Sequence, residues 1–372
     1  MLFGQSPSQS QHGRSSAVGI IYLVASWPKD NWLRMTSRNY RKLALGLLTG
    51  ILLLSALFLW QGIGNVVQLF VQGGPAIAAV CLFTPGEQWL AAEAWRILFP
   101  PGQRPSRLSS VIASWMGSAV NSLLPVAGIG GEVVKARVLI RREANEDTTL
   151  ASLLVDKTVQ AITVFIWGLV GVCMLAMTVD DMRFVFGALA GASLLGIGVG
   201  IFVFLQVTGK LGAGMQRLLE VAGVSKSASI LNRIGNIDNS VRDSYADRRR
   251  VAAAVLLRLT QRVFLAGEVV LVGHLVGLPI GLAEAIALKG IVGAVRGAGF
   301  AIPAGLGIQE GGFIAIGALL GYPPDLMLAV SLATRIREIL PSIPALIWWQ
   351  ATEARAVLRN KTHPKRNSPG EG

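Results

Sequence analysis

Residues 124–136 read LPVAGIGGEVVKA, a stretch that joins helix-breaking residues to two charged residues in an apolar chain. Pro125 and Gly128 belong to the break, and Glu132 and Lys135 follow it directly. A soluble protein would place such a stretch in a surface loop. In lipid, an unpaired backbone amide is costly, so irregular backbone survives only inside protein or beside a wet cavity. The meaning of the stretch therefore depends on the solvent around it.

The composition of the chain indicates a membrane protein. Of its 372 residues, 52% are hydrophobic and 15% are charged, whereas soluble domains carry about 25% charged residues. Residues 43–60 and 184–207 are apolar runs without a charge. A helix of about 20 apolar residues is long enough to cross the hydrocarbon core. The sequence therefore predicts an all-α polytopic membrane protein.

The predicted fold has about six full spans and two broken helix hairpins. The predicted spans are 43–60, 75–98, the apolar stretch that ends at 179, 184–207, 251–277 and 326–350. The hairpins are 108–142 and 280–321. The first is predicted to be re-entrant, because residues 132–142 turn basic within two helical turns and so return to the cytoplasm.

The formal charge of +13 is unevenly distributed along the chain. Basic residues crowd the segment before residue 43 and the segments 135–142, 210–250 and 355–366. The positive-inside rule then predicts that both termini lie in the cytoplasm. Membrane orientation explains the charge, so nucleic acid is not expected as a partner.

The two breaks resemble each other. PVAGIGGE (125–132) and PAGLGIQE (303–310) both run from a Pro to a Glu across six Gly-containing residues. Three predicted crossings separate them, so the second copy enters the membrane from the opposite face. Such inverted repeats are common in secondary transporters, whose sites lie where broken helices meet near the midplane.

The polar segments suggest how the chain is divided. The predicted parts are an N-terminal extension expected to be disordered (1–34), a first membrane half (35–207), a cytoplasmic loop (208–250), a second membrane half (251–354) and a basic tail (355–372). Apolar residues in the loop recur at helical spacing. The loop is predicted to form amphipathic helices on the inner surface or, alternatively, a plain helical connector.

Common catalytic and cofactor motifs are missing from the sequence. Cys81 and Cys173 lie in apolar runs and the three histidines are scattered, so neither a disulfide framework nor a metal site is expected. There is no P-loop, no HExxH and no Gly-x-Ser-x-Gly motif, and GIGGEV lacks the third glycine of a dinucleotide fingerprint. No cofactor is expected, and the chain is not expected to be an enzyme.

The breaks suit an anionic ligand. Free N–H groups and the helix dipole at the start of the second half-helix present partial positive charge, and Lys135 lies one turn away. Glu132 and Glu310 offer an alternative interpretation. Each carboxylate would lie in the first helical turn and could cap those N–H groups itself.

Ionisable residues inside the apolar segments are further candidates, because charges at membrane depth usually face a polar interior. These residues are Glu87, Glu93, Arg262, Glu268, Lys289, Arg296, Arg335, Arg337 and Glu338. Ion pairs between helices are the alternative to ligand contacts. Helical spacing allows Glu93 to pair with Arg96, and Arg258 to stack or pair with Arg262. The Asp156-Lys157 pair lies near the predicted cytoplasmic boundary, where snorkelling alone would explain it.

Four stretches together resemble a known family: SAVNSLLPVAGIGGEVVKARVL, ASLLVDKTVQ, GAGFAIPAGLGIQEGGFIAIGALLG and SLATRIREILPSIPALIWW. They resemble the flippase-like transmembrane family, whose best-known members form the membrane part of lysylphosphatidylglycerol synthases. AEAWRILFP and the motifs NSLLP, GGE and GLGIQEGG are closest to its hopanoid-biosynthesis-associated branch. The resemblance extends over the chain from about residue 40 to about residue 350.

The resemblance implies a multi-pass protein of the bacterial inner membrane that moves or handles a lipid. There are two departures from the family pattern. ASWMGSAVNS has no basic residue before the first motif, and loop 208–250 is too short for an aminoacyl-transferase domain. Lysine transfer to lipid is therefore not expected of this chain. The family's functional positions correspond to Pro125, Gly130, Gly131, Glu132, Pro303, Gly307 and Glu310, with Arg335 and Arg337 behind them.

Residues chosen for their own chemistry complete the candidate substrate site. The full set is Asn121, Pro125, Gly128, Gly130, Gly131, Glu132, Lys135, Arg262, Arg296, Pro303, Gly305, Gly307, Gln309, Glu310, Arg335, Arg337 and Glu338.

Several functions agree with this sequence. The leading hypothesis is a lipid translocase or lipid-export component for hopanoid-type or anionic lipids, with membrane lipids as ligands and lipid-biosynthesis enzymes as further partners. The alternative is a non-transporting scaffold that gathers such enzymes on loop 208–250. A third candidate is a membrane-embedded transferase that uses Glu132, Glu310 or Asp156. For this candidate the sequence offers no nucleophile–base pair.

Overall fold

The computed structural model describes residues 74–124, 130–142, 144–178, 182–208, 240–241, 243–245, 247–298 and 307–362. Within these ranges the secondary structure is helical and contains no strand, which confirms the predicted all-α class. The N-terminal extension, the first predicted span and most of loop 208–250 lie outside the described residues. The number of spans and the inverted repeat stay predictions.

The helices are numbered here along the chain. They are α1 (Gly74–Cys81), α2 (Phe83–Arg96), α3 (Arg107–Leu123), α4 (Gly130–Arg141), α5 (Glu146–Ala176), α6 (Met182–Val207), α7 (Arg248–Leu275), α8 (Leu282–Ala298), α9 (Ile308–Leu319), α10 (Pro324–Ile339) and α11 (Ser342–Thr362).

Helices α3 and α4 form the first hairpin, with a break between them. The α3 helix ends at Leu123, and Leu124 has extended backbone (φ −116°, ψ 145°). The two helices approach closely, because a Cβ added at Gly117 would lie 2.6 Å from the carbonyl oxygen of Gly131. Small residues at such a contact let two backbones pack directly against each other.

Helices α8 and α9 form the second hairpin. The α9 helix follows Gly307, whose φ of +78° lies in the region that favours glycine. Val292 of α8 packs on Gly312 of α9, where an added Cβ would lie 2.9 Å from Val292 Cγ2. Both predicted hairpins therefore consist of two packed helices, and their re-entrant course stays a prediction.

Helix α5 packs closely against α8. Its N-terminus is capped by Asn145, whose side chain accepts a hydrogen bond from the Thr148 N–H at 3.1 Å. Where the two helices cross, a Cβ added at Gly290 would lie 2.7 Å from the Trp167 carbonyl oxygen and 2.9 Å from the Gly171 Cα. Glycine is therefore required at this crossing.

The two larger apolar clusters of the described residues join most of the helices. The first joins α2, α3, α4 and α5 to the start of α7 around Trp95, Leu139 and Val155. The second joins α5 and α7 to the second hairpin and α10 around Leu288, Phe313 and Met327. Helix α5 contributes to both clusters and so connects the two hairpins.

Large apolar side chains remain exposed on the outer helices, as expected for a surface that faces lipid. On α6, Phe186, Ile197, Ile201 and Phe204 are each more than half exposed. Within the described ranges, α5 is the one helix that is both long and apolar enough to cross a membrane on length and composition alone.

The C-terminal boundaries differ from the prediction. The predicted span 326–350 consists of two helices, α10 and α11, which meet at Leu340 and Pro341. Proline has no N–H to continue the helical hydrogen-bond pattern. Helix α11 then continues to Thr362, so the predicted basic tail begins in helical conformation.

Ionic contacts hold two helix ends at the surface. Glu353 of α11 pairs with Arg137 at 2.7 Å and with Arg141 at 2.8 Å, which ties α11 to α4.

At the start of α7, Asp247 accepts a hydrogen bond from the Arg250 N–H at 3.2 Å. The hydrogen bond from the Arg250 side chain to Asp247 lowers the pKa of that carboxyl group.

Substituting Gly290→Ala should lower the free energy of unfolding in detergent by about 1–3 kcal/mol, because the added methyl group overpacks the α5–α8 crossing. Chemical denaturation of the purified protein measures this change. Gly191→Ala on α6 is the matched control, since a Cβ there meets nothing within 4 Å. Equal stabilities for the two variants would contradict the close crossing.

Candidate functional site

A side chain of the facing helix α3 caps the start of α4. The Asn121 Oδ1 atom accepts a hydrogen bond from the Gly131 backbone N–H at 2.8 Å. The Gly131 N–H is therefore satisfied by a side chain of the facing helix α3, and the interpretation of Glu132 as a cap for the preceding residues stays a prediction.

Glu132 lies between two lysines inside the protein. Its Oε1 atom is 2.7 Å from Lys157 Nζ on α5, and its Oε2 atom is 3.4 Å from Lys135 Nζ. Glu132 and Lys135 are buried, and the Lys135 ammonium lies 5.8 Å from the centre of the Trp95 ring. Because Lys135 already has an acidic partner, it is not an unpaired cation that awaits an anionic ligand.

Asp156 is fully buried, so snorkelling to the membrane boundary does not explain it. Its carboxylate accepts two hydrogen bonds from Arg258 NH2 on α7, at 2.7 and 2.9 Å, and a third from Gln160 Nε2 at 2.8 Å. A partner from a helix far along the chain therefore accounts for Asp156, and the position of Asp156-Lys157 near the cytoplasmic boundary stays a prediction. Arg258 likewise pairs with Asp156 rather than with Arg262.

Glu310 does cap its helix. One carboxylate oxygen accepts a hydrogen bond from the Gly307 N–H at 2.9 Å. The other accepts hydrogen bonds from Arg335 Nε at 3.0 Å and Arg335 NH2 at 2.7 Å. The cap interpretation therefore holds at Glu310, and the two similar sequence motifs have different local chemistry.

A cavity of about 420 Å³ lies among α2, α5, α7, α8, α9 and α10. Its lining combines charged groups with apolar side chains and bare backbone. The lining residues are Glu87, Gln160, Trp167, Arg262, Leu265, Lys289, Val292, Gly293, Arg296, Gly297, Gln309, Phe313, Arg337 and Glu338.

Arg296 is held on one side of the cavity. It donates to both carboxylate oxygens of Glu338 at 3.1 Å and to the side-chain oxygen of Gln309 at 2.7 Å. Gln309 is fixed in turn by Thr334, which accepts from its amide at 3.1 Å. These contacts fix the position of the Arg296 guanidinium, and Glu338 neutralises its charge.

Arg337 neutralises two carboxylates on neighbouring helices. It pairs with Glu87 of α2 and, at 2.7 Å, with Glu268 of α7. Glu268 also pairs with Lys289 of α8, whose Nζ atom lies 3.4 Å from Glu268 Oε2. Three helices are thereby tied to α10, and all of these charges are compensated within the cluster.

Arg262 differs from the other cations of the cavity. Among the described residues it has no hydrogen-bond or ion-pair partner, and its buried Nε lacks an acceptor. The cavity cluster holds four cations (Arg262, Lys289, Arg296 and Arg337) and three carboxylates (Glu87, Glu268 and Glu338). The surplus positive charge therefore belongs to Arg262. The two breaks, 125–129 and 299–306, contain no Asp or Glu that could pair with it.

The structure divides the predicted site into two clusters. Arg262, Arg296, Gln309, Arg337 and Glu338 line the cavity, and Glu310, which follows Gln309 on α9, pairs with Arg335. A second cluster lies around the first hairpin and holds Asn121, Gly130, Gly131, Glu132 and Lys135. Gly307 is the residue before α9. Pro125, Gly128, Pro303 and Gly305 lie outside the described residues.

Sequence reasoning missed several residues of the cavity. Gln160, Trp167 and Gly293 carry no charge at membrane depth, so no sequence signal separates them from ordinary packing residues. Glu87 and Lys289 were recognisable as buried charges, but only the packed helices bring them to this cavity. Within the described ranges, no group of three His, Cys, Asp or Glu side chains could hold a metal ion.

In a comparison with protein families, residues 43–345 match a family described as the lysylphosphatidylglycerol synthase TM region. The chain belongs to this family. It is therefore a membrane protein, and the family connects it to a function related to membrane lipids. No curated protein and no solved structure matches the chain. The hopanoid-associated branch stays a prediction.

Substituting Asp156→Asn should lower the free energy of unfolding by about 3–5 kcal/mol, because Arg258 is left as an uncompensated buried charge. Denaturation of the purified protein in detergent measures the loss. The double variant Asp156→Leu with Arg258→Met should regain most of the stability, since both charges are then removed. A double variant no more stable than Asp156→Asn would show that the pair is not the reason for the loss.

Proposed function

We propose that this protein is a lipid translocase of the bacterial inner membrane that binds the anionic headgroup of a phospholipid in the cavity. The observation that carries this proposal is Arg262, a cation without an acidic partner among the described residues. A charge at membrane depth is costly unless it is paired or lines a polar path. A lipid phosphate would supply the missing negative charge and accept hydrogen bonds from the guanidinium.

The size of the cavity supports a headgroup rather than a whole lipid. Its volume of about 420 Å³ lies near the lower end of small-molecule sites. The acyl chains would then stay in the surrounding lipid, against the apolar outer surface of helices such as α6. A polar groove for the headgroup and an apolar exterior for the tails are what a translocase requires.

The charge of the cavity favours anionic lipids over uncharged hopanoids. An uncharged headgroup would leave Arg262 unpaired, whereas a phosphodiester would neutralise it. We therefore propose an anionic phospholipid as the substrate class, and hopanoid-type lipids become the second choice. The excess of basic residues in the predicted inner loops supports an orientation with both termini in the cytoplasm.

The proposal is tested by leaflet exchange of fluorescent phosphatidylglycerol in phosphatidylcholine liposomes that contain the purified protein. The native protein should accelerate exchange over empty liposomes. Substituting Arg262→Gln should slow this exchange about tenfold or more, because a hydrogen bond to a charged group contributes about 1.5–3 kcal/mol. Arg262→Lys retains the charge and should keep a larger part of the activity than Arg262→Gln.

Arg107→Gln serves as the matched control, because Arg107 is an exposed arginine outside the cavity and its loss changes the net charge equally. Exchange by the native protein at the rate of empty liposomes would contradict the translocase proposal and favour a scaffold. Equal slowing by Arg262→Gln and Arg107→Gln would remove Arg262 from the headgroup site.

A further inference from the structure

Gly293 leaves bare backbone in the wall of the cavity. Lys289 lies one turn before it on α8 and Arg296 one turn after it, so all three residues share one helix face. A Cβ added at Gly293 would meet nothing within 4 Å. The wall between the two cations therefore borders open space inside the cavity.

Helix packing does not explain the glycine at this position. Three residues earlier, Gly290 is required by packing, because an added Cβ would lie 2.7 Å from the Trp167 carbonyl oxygen. Gly293 has no such neighbour, and glycine inside a helix is less favourable than alanine. The missing side chain enlarges the cavity instead.

The neighbouring cations leave the space in front of Gly293 open. Arg296 is engaged by Glu338 at 3.1 Å and by Gln309 at 2.7 Å, while Lys289 is engaged by Glu268 at 3.4 Å. Their partners lie on α9, α10 and α7, so both side chains are fixed by contacts beyond their own helix. The groove at Gly293 remains available to a ligand.

We propose that Gly293 determines the size of the lipid headgroup that the cavity accepts. The phosphate pairs with Arg262, and the polar group esterified to that phosphate lies against the bare backbone at Gly293. The ligand class is then a phosphodiester with a small polar headgroup, such as glycerol, rather than a phosphate monoester. This inference rests on the proposed binding of an anionic headgroup.

The test compares how native and variant proteins bind two lipids that differ in headgroup size. Delipidated protein in detergent is titrated with dioleoylphosphatidic acid or dioleoylphosphatidylglycerol, and binding is measured by native mass spectrometry. Gly293→Leu should weaken phosphatidylglycerol binding about tenfold relative to phosphatidic acid binding, because the new side chain occupies the space of the larger headgroup. Gly293→Ala should give a smaller change in the same direction.

Gly191→Leu on α6 is the matched control, because it is the same substitution at a helical glycine with nothing within 4 Å. It should leave the ratio of the two affinities unchanged. Equal weakening of both lipids by Gly293→Leu, or no weakening, would overturn the role of Gly293 alone. If the native protein binds neither lipid more tightly than phosphatidylcholine, the anionic-headgroup site and this inference both fall.

Discussion

Charge buried between packed helices needs an opposite charge or a polar path beside it, and this requirement links several of the described helices. Asp156 and Arg258 join α5 to α7, and Arg337 joins α10 to the carboxylates of α2 and α7. Each pair costs desolvation, but removal of one partner would cost more. Arg262 lies one turn from Arg258 and has no such partner among the described residues, and the proposed headgroup site depends on it.

Close helix contacts give the charged groups their positions. Glycine at the α3–α4 and α5–α8 contacts lets backbones approach to distances that a Cβ would prevent. Helix α5 thereby carries polar residues toward both hairpins, with Lys157 directed to Glu132 and Gln160 at the cavity. The apolar packing and the polar clusters therefore depend on the same helix.

The two Gly-rich motifs look alike in sequence but have different chemistry. Glu310 caps α9 and pairs with Arg335, whereas Glu132 pairs with two lysines and the Gly131 N–H beside it is bonded to Asn121. The second hairpin supplies Gln309 and Arg296 to the cavity, while the first forms a separate buried cluster. The breaks themselves, 125–129 and 299–306, lie outside the described residues, so a site where the two breaks meet stays a prediction.

The sequence by itself determined the all-α membrane class, the interruption of both hairpins and the presence of ionisable residues within apolar segments. These features can be read from the sequence because hydropathy, glycine and proline affect the local segment in which they occur. The partners of those charges were decided only by the tertiary structure: Asp156 meets Arg258 across a separation of 102 residues, and Glu87 meets Arg337 across 250. Gln160 and Gly293 became site residues for the same reason. No local pattern marks a neutral residue as lining a cavity, because the cavity exists only once distant helices have packed around it.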